Sequence, residues 1–386
     1  MKLFFCTSSY PAESNITIGS VASFEKDFVM ELIKKNVEVF VITPKQPGDG
    51  FDEKHPKLHI IRYNWAGSKK GTELSSLNIF NPHDLWFAIS IFWNGARAVL
   101  RLAKKEKPDF NFALWAVPAG FWVWICKKRF KVPYAVWTLG SDIWVYGRKF
   151  YTKPLIKMIL RSADKLYSDG FLLGKETAKL GGQKCVFLPS TQKLTTEGIE
   201  KMQLPYKTEK INFLFIGRYH INKGPDVLLD AIALLPKEIG EKCHFHLFGG
   251  GDLEPLLFRK VKVLNLSNIT INGFVNTTEC SALLRHAHFL IIPSREDSIP
   301  VVLSDALQCH LPVIVAQVGD MKQLADEYGI GYSFPREDAK ILAKYIQQAV
   351  NDDKENFRNK IDEVLKIFDL PGTVNHLITD IKSIIK

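Results

Sequence analysis

The sequence predicts an α/β protein built from two doubly wound, Rossmann-like domains. Three observations carry this. Short apolar runs alternate with helical patterns over most of the 386 residues, and that alternation implies right-handed crossovers and a mostly parallel sheet. The length exceeds one ordinary core and suits two domains of this kind. The rhythm stops once, over the polar stretch 190–210, and then restarts.

Taken in order, "KLFFCTS" is a first strand, since its apolar run is too short for the core of a secretory signal. "VASFEKDFVMELIKKN" places Phe24, Phe28, Leu32 and Ile33 on one helical face, and "VEVFVIT" is the next strand. Residues 110–126 carry no charge, but Asn111, Pro118 and Gly120 interrupt them. They also fall short of the roughly 20 apolar residues that a membrane span needs. A strand over 110–115, a loop and a helix from Ala119 fit better. "YAVWTLG" and "KLYSDG" are further strands, with helices near 85–105, 119–129 and 153–162.

After the break come the strands "INFLFIG", "CHFHLFGGG", "NITINGF", "HFLIIPS" and "PVIVAQ". "GPDVLLDAIALLP" and "DLEPLLFRKVKVL" are helices between them. The domains are therefore expected at 1–190 and 207–369, facing each other across a cleft. A terminal helix within 370–386 could pack back on the first domain or on the second.

Composition narrows the function classes. A chain with 46% hydrophobic and 24% charged residues is globular. Its six cysteines form no CxxC pair, which suits a reduced, cytoplasmic chain better than a disulfide framework or a zinc site. The net charge of +10 is uneven: residues 1–190 hold 28 basic and 16 acidic side chains, and residues 191–386 hold 23 and 25. All eight tryptophans also lie in the first half. Such a half could rest on the anionic inner face of a membrane, or be a solvated basic face over an aromatic core. No motif organises the charge for nucleic acid, and no GxGxxG follows the first strand for a dinucleotide.

The chemistry concentrates in the second half. In "FIGRYHINKGPDVLLDA", Gly217, Arg218, Lys223 and Gly224 lie between a strand and a helix. Open parallel sheets bind ligands at that end of their strands, and two cations there could converge on a diphosphate. "LFGGGDLEPLL" repeats the arrangement with Gly249 to Gly251, and Asp252 could cap the following helix. In "PSREDSIPVVLSDALQ", "REDS" is the loop after a strand, Pro300 suits the first helical position and Ser298 the N-cap. That helix start would aim its free N–H groups at the same mouth, a natural phosphate site. Asp297 and Asp305 would flank it, each accepting hydrogen bonds from paired hydroxyls while standing clear of the anion.

These motifs, with "NGFV" and the "GD" at 319–320, resemble the retaining nucleotide-sugar glycosyltransferases of the GT-B fold, the group 1 type. "MKLFFCTSSYP" and "LWAVPAGFWVWICKKRFKVPYAVWTLGSDIW" resemble that family's opening strand and its proline-glycine helix with a "GSD" loop. The resemblance implies that Arg218 and Lys223 bind the donor diphosphate and neutralise charge as the glycosidic bond breaks. It gives Asp297 the hydroxyls of the transferred sugar and Asp305 the donor ribose. The backbone from Ser298 through Ile299 to Val301 would meet phosphate, with Gly217 and Gly249 in the neighbouring turns. Phe274 and Val275 would lie along the nucleobase, and Gly19 would approach the phosphates from the first domain.

There are departures. The family usually has two glutamates eight apart, where this chain has Asp297 and Asp305, with Glu296 beside the first. Each aspartate retracts its carboxylate by about one carbon–carbon bond, so either the backbone compensates or Glu296 takes the sugar contact. Leu139 stands where a histidine is common, His310 where glycine is, and Gln323 where glutamate is. No DxD is present, and two cations with a helix dipole can stabilise a leaving group without a metal. No cofactor is implied beyond the nucleoside-diphosphate sugar itself. Asp142 in "GSDIW" reads as a loop anchor rather than a base.

The sequence thus predicts a hexosyltransferase-type enzyme acting on a glycan or lipid-linked acceptor in cell-surface polysaccharide or lipopolysaccharide synthesis. The alternatives are a degenerate transferase that binds nucleotide-sugar or serves as a scaffold, and another nucleotide-sugar enzyme such as an epimerase.

Overall fold

A computed structural model describes residues 1–12, 23–47, 49, 52–68, 80–207 and 209–386. The chain divides into two compact units, one built mainly of residues up to Ser190 with Leu370–Lys386, the other of Thr191–Asp369.

Among its described residues the first unit holds seven strands: β1 (Lys2–Cys6), β2 (Glu38–Pro44), β3 (Leu58–Tyr63), β4 (Phe110–Leu114), β5 (Tyr134–Thr138), β6 (Lys165–Ser168) and β7 (Cys185–Phe187). They form one sheet in the order β3-β2-β1-β4-β5-β6-β7, and every pairing is parallel. A parallel sheet is covered on both faces, so its central strands are apolar throughout rather than alternating. β4 and β5 are buried at every position. Phe28, from the helix Ser23–Lys34, stacks on Phe112 at 6.1 Å and packs on Trp137 at 5.1 Å, which fills one face.

The helices stand close to their expected bounds, at Pro82–Glu106, Ala119–Phe130 and Lys153–Ser162. The terminal helix Leu370–Ile384 packs on the first unit, beside Ser23–Lys34. Its Asp380 accepts a hydrogen bond from Tyr167 at 2.7 Å and pairs with Lys165 at 3.1 Å. No helix among the described residues is long and apolar enough to cross a membrane. All six cysteines are free.

The second unit repeats the plan with β8 (Ile211–Ile216), β9 (Cys243–Phe248), β10 (Ile269–Asn272), β11 (Phe289–Ile292), β12 (Val313–Ala316) and β13 (Gly331–Phe334). The order β10-β9-β8-β11-β12-β13 is again wholly parallel. Chain direction across the sheet reverses between β8 and β11, so the loops after these two strands flank a topological switch point. Residues 191–194 are not a solvated tether: Thr191, Gln192 and Leu194 are buried against this unit.

At the carboxyl end of β1, Glu25 is fully buried and accepts a 2.5 Å hydrogen bond from Ser9 Oγ. Burial pushes its carboxyl up from 4.5 to about 7, against the opposing effect of the Ser9 and Thr7 hydrogen bonds. The folded state therefore favours the neutral acid. Its contribution is intact below the unfolded value of 4.5 and is lost as pH rises through about 7. Glu25→Gln removes this dependence. In urea titrations the variant should gain on the wild type between pH 4.5 and 7, by at most about 3 kcal/mol. A constant difference across that interval would refute the assignment.

Candidate functional site

The site is assembled from loops at the carboxyl ends of β8, β9, β10 and β11. After β8 the chain runs through Gly217 and Arg218 into a 3-10 turn, Ile221–Lys223, whose start is capped by His220 Nδ1 accepting from Asn222 N at 3.3 Å. After β11 it runs through Pro293 and Ser294 to the helix Val301–Gln308. Because β8 and β11 pair directly, these two loops lie side by side.

They are locked together by backbone. Arg295 N donates to Asn222 O at 2.7 Å. Gly224, at φ +65°, approaches so closely that a Cβ there would sit 2.0 Å from the Pro293 carbonyl oxygen. The Arg295 guanidinium reinforces this, donating to both Asp226 oxygens at 2.8 and 2.7 Å, to Ile221 O at 2.7 Å and to Glu337 at 2.6 Å. Sequence reasoning assigned Arg295 and Asp226 no role. The available signal was a loop arginine followed by two acids, with an aspartate at the second helical position of the neighbouring motif.

Lys223 Nζ donates to both oxygens of Asp297, at 2.7 and 2.9 Å. The two side chains are 26% and 15% exposed, so the pair is partly shielded and still within reach of a ligand. Glu296 is exposed and accepts a 3.5 Å hydrogen bond from Asn222 Nδ2. Of the adjacent acids, Asp297 is the one that meets a nominated cation. Arg218 lies half-buried on the same loop as Lys223, five residues earlier.

The helix begins one residue later than expected. Pro300 is its N-cap, with ψ 140°, and Val301 is the first helical residue. Ser298 is not its cap: no side chain among the described residues caps this helix. Ser298 is 6% exposed, and no group among the described residues hydrogen-bonds its Oγ. Ile299 beside it is buried. The result is a helix start with an unused hydroxyl beside it, the arrangement that favours an anion.

Asp305 lies in the second turn, 2% exposed, and its Oδ2 accepts from Gln192 Nε2 at 2.6 Å. Gln308 Nε2 in turn donates to Gln192 O at 2.9 Å. The stretch expected to be a polar linker thus straps this helix. Its composition concealed that, because Gln192 reads as solvated until its partners are known.

The glycine loop after β9 closes on the loop after β8. Gly217 N donates to Phe248 O at 3.0 Å and Tyr219 N to Gly250 O at 2.8 Å. At Gly249, φ +155°, a Cβ would meet Gly217 O at 1.9 Å. Asp252 is not a cap; the helix Glu254–Val263 starts after Leu253, without a side-chain acceptor among the described residues. Phe274, 47% exposed, lays its ring over Gly250, and Val275 follows it half-buried. Gly19 lies outside the described residues. Asp142, in the first unit, is a buried anchor. It accepts from Ala116 N at 2.8 Å, Gly140 N at 3.2 Å and Leu139 N at 3.3 Å, and burial pushes its carboxyl up to about 6. Among the described residues no three His, Cys, Asp or Glu side chains converge on a metal position.

Gly319 packs against the backbone of the acidic loop. At φ +52° a Cβ would lie 2.3 Å from Asp297 O and 2.4 Å from Ser298 O. Gly319→Ala must therefore displace the backbone of both residues. A loss of roughly 1–3 kcal/mol of stability is expected, with weakened anion binding, measurable by denaturation and by calorimetry with a nucleoside diphosphate. Unchanged binding would show that the loop position does not depend on this contact.

Comparison with known proteins shows the family and the fold. Residues 197–364 match the family model described as glycosyl transferases group 1, and residues 20–170 match glycosyl transferase 4-like. A Campylobacter jejuni enzyme, GalNAc-α-(1→4)-GalNAc-α-(1→3)-diNAcBac-PP-undecaprenol α-1,4-N-acetyl-D-galactosaminyltransferase, is 30% identical over 80% of this chain and 84% of its own. An uncharacterized glycosyltransferase of Methanocaldococcus jannaschii is 24% identical over 81% of this chain and 84% of its own. The crystal structure of Anabaena HepE in complex with UDP-glucose superposes with a TM-score of 0.72 at 14% identity, covering 99% of this chain and all of that one. The chain belongs to the group 1 glycosyltransferases and is a transferase enzyme of the GT-B fold.

Proposed function

We propose that the protein transfers a sugar from a nucleoside-diphosphate sugar to a glycan or lipid-linked acceptor in cell-surface polysaccharide synthesis. The reaction would retain anomeric configuration and need no divalent metal. The observation that carries this is the Lys223–Asp297 pair set beside the uncapped start of Val301–Gln308, where Ser298 Oγ stands unused. An ammonium, first-turn N–H groups and a hydroxyl at one strand edge suit the oxygens of a diphosphate. The undecaprenol-linked saccharide in the name of the Campylobacter relative supports the acceptor class. The UDP-glucose bound to the Anabaena protein supports the donor class.

In this reading the bond between the sugar anomeric carbon and the diphosphate oxygen breaks. Arg218 and Lys223 take up the charge that develops on the leaving phosphate, as preorganised cations do in a fixed site. The acceptor oxygen bonds the anomeric carbon from the face the diphosphate leaves, and its proton passes to a phosphate oxygen, so no protein base is required. Asp297 orients Lys223 with one lone pair on each oxygen and keeps others for sugar hydroxyls. In that division one carboxylate serves both the lysine and the sugar, and Glu296 is not required. Gly217, Gly249 and the backbone at Ile299 admit the phosphates closely, and Phe274 with Val275 offers a face to the base. For Asp305 a ribose hydroxyl must reach a carboxylate that is 2% exposed and already accepts from Gln192. The reaction would take place in the cytoplasm, at the inner face of the membrane.

A thermal-shift panel of nucleoside diphosphates and their sugars tests the donor class, since a ligand specific to the folded state raises the melting temperature. One diphosphate should stand out. Lys223→Ala should weaken it by about tenfold or more, the usual scale of a charge-assisted hydrogen bond. Asp297→Ala should leave the diphosphate shift intact or enlarge it, while transfer falls by at least about a hundredfold. The scaffold alternative wins if Asp297→Ala and Arg218→Ala both sustain glycan synthesis in cells that deletion abolishes.

A further inference from the structure

We infer that the outer face of the helix Pro82–Glu106 is a docking surface for an anionic lipid bilayer. The inner face of this 25-residue helix is committed to the first unit's core, where Phe87, Ile91, Val99 and Ala103 are buried. Its outer face is apolar at one end. Trp86 is 60% exposed, Ile89 51% and Trp93 62%, and their spacing of three and four residues sets them on one side. Single exposed apolar residues are ordinary, but two indoles and an isoleucine in one stripe are not.

The stripe continues and changes character. Arg97, Arg101 and Lys104 follow Trp93 on the same side, all exposed. From Leu85 to Lys105 there is no acidic residue. Glu106, which ends the helix, is already engaged by Lys2 at 3.3 Å and Lys105 at 3.1 Å. The apolar end also extends onto a second element. Phe80, just before the helix and 76% exposed, meets the Tyr151 ring at 6.1 Å. Phe150, 81% exposed, packs on the same ring at 5.3 Å, and Lys149 stands over it at 5.9 Å.

An apolar zone rimmed by aromatic rings and bordered by cations is what the interface of an anionic bilayer accepts. Indoles settle at the headgroup level and the cations meet the surface charge. Trp86 to Lys104 spans about 27 Å at the helical rise, so the stripe would lie along the membrane plane, with only its side chains immersed. A second copy of the chain is a poorer occupant. A twofold contact would set this acid-free face against itself and bring like charges together.

The surface lies wholly in the first unit, so its failure and that of the donor site can be told apart. Full-length protein is sedimented with vesicles of phosphatidylcholine plus phosphatidylglycerol, and with phosphatidylcholine alone. The wild type should bind the anionic vesicles, release on raising salt, and show a blue shift of tryptophan emission. Trp86→Ala with Trp93→Ala should weaken binding by about tenfold or more, and Arg97→Glu with Arg101→Glu should do the same. Both double variants should keep the wild-type melting temperature and the wild-type response to nucleoside diphosphate. Three results would overturn the proposal: no wild-type binding to anionic vesicles, equal binding by the variants, or a wild-type dimer that the tryptophan variant dissolves.

Discussion

The second unit depends on the direct parallel pairing of β8 with β11, Phe213 against Phe289 and Leu214 against Leu290. That pairing skips over two strands in sequence, and it places the ends of two remote segments side by side. The ion pair at the centre of the candidate site follows from it. Lys223 meets Asp297 across seventy-odd residues because their strands are neighbours. The locks behind them, Gly224 on the Pro293 carbonyl and Arg295 on Asp226, convert adjacency into a fixed distance. Chemistry on a diphosphate needs such fixity, because its transition-state charge is met only by groups already in place.

The arrangement also sorts the acids beside the helix start. A carboxylate repels phosphate, and three acids lie within ten residues here. Each is handled differently. Asp297 is paired to the cation that would bind the anion, Asp305 is buried under Gln192, and Glu296 is turned out to solvent. The helix start is left without a competing side-chain acceptor among the described residues. The field at the mouth is therefore set by Lys223 and the first turn rather than by the acids around them.

Much of this was legible in the sequence, and the limits have physical causes. The buried strands of both sheets read clearly as unbroken apolar runs, because parallel strands are covered on both faces. The edge strands of the first sheet did not: β3, with the half-buried His59 and Arg62, and the three-residue β7 lack that signature. The helix Thr277–His286 was passed over although Asn276 and Glu279 form a capping box. In the site, Arg218, Lys223 and Asp297 could be placed on loops by motif. Their supports could not, because Arg295 acquires a role only through Asp226, 69 residues away. Gln192 likewise reads as linker until Asp305, 113 residues on, is seen to hold it. Local patterns fix which element a residue joins; long-range pairing decides what it does.

The uneven charge of the chain can now be seen in two forms. In the second unit, cations and acids nearly balance and are spent on one another, as Lys223 on Asp297 and Arg295 on Asp226 and Glu337. In the first unit, paired charges are again internal, as with Arg62 on Asp49 and Asp52. Part of its surplus, Arg97, Arg101, Lys104 and Lys105, stands on exposed positions of the helix Pro82–Glu106 beside exposed tryptophans. The tryptophan count has the same double origin: Trp122 and Trp137 are wholly buried, whereas Trp86 and Trp93 face water. Neither of the two readings open at the sequence level, aromatic core or aromatic surface, excludes the other. A helix with one face in the core and the other outward satisfies both, because the two faces answer to different solvents.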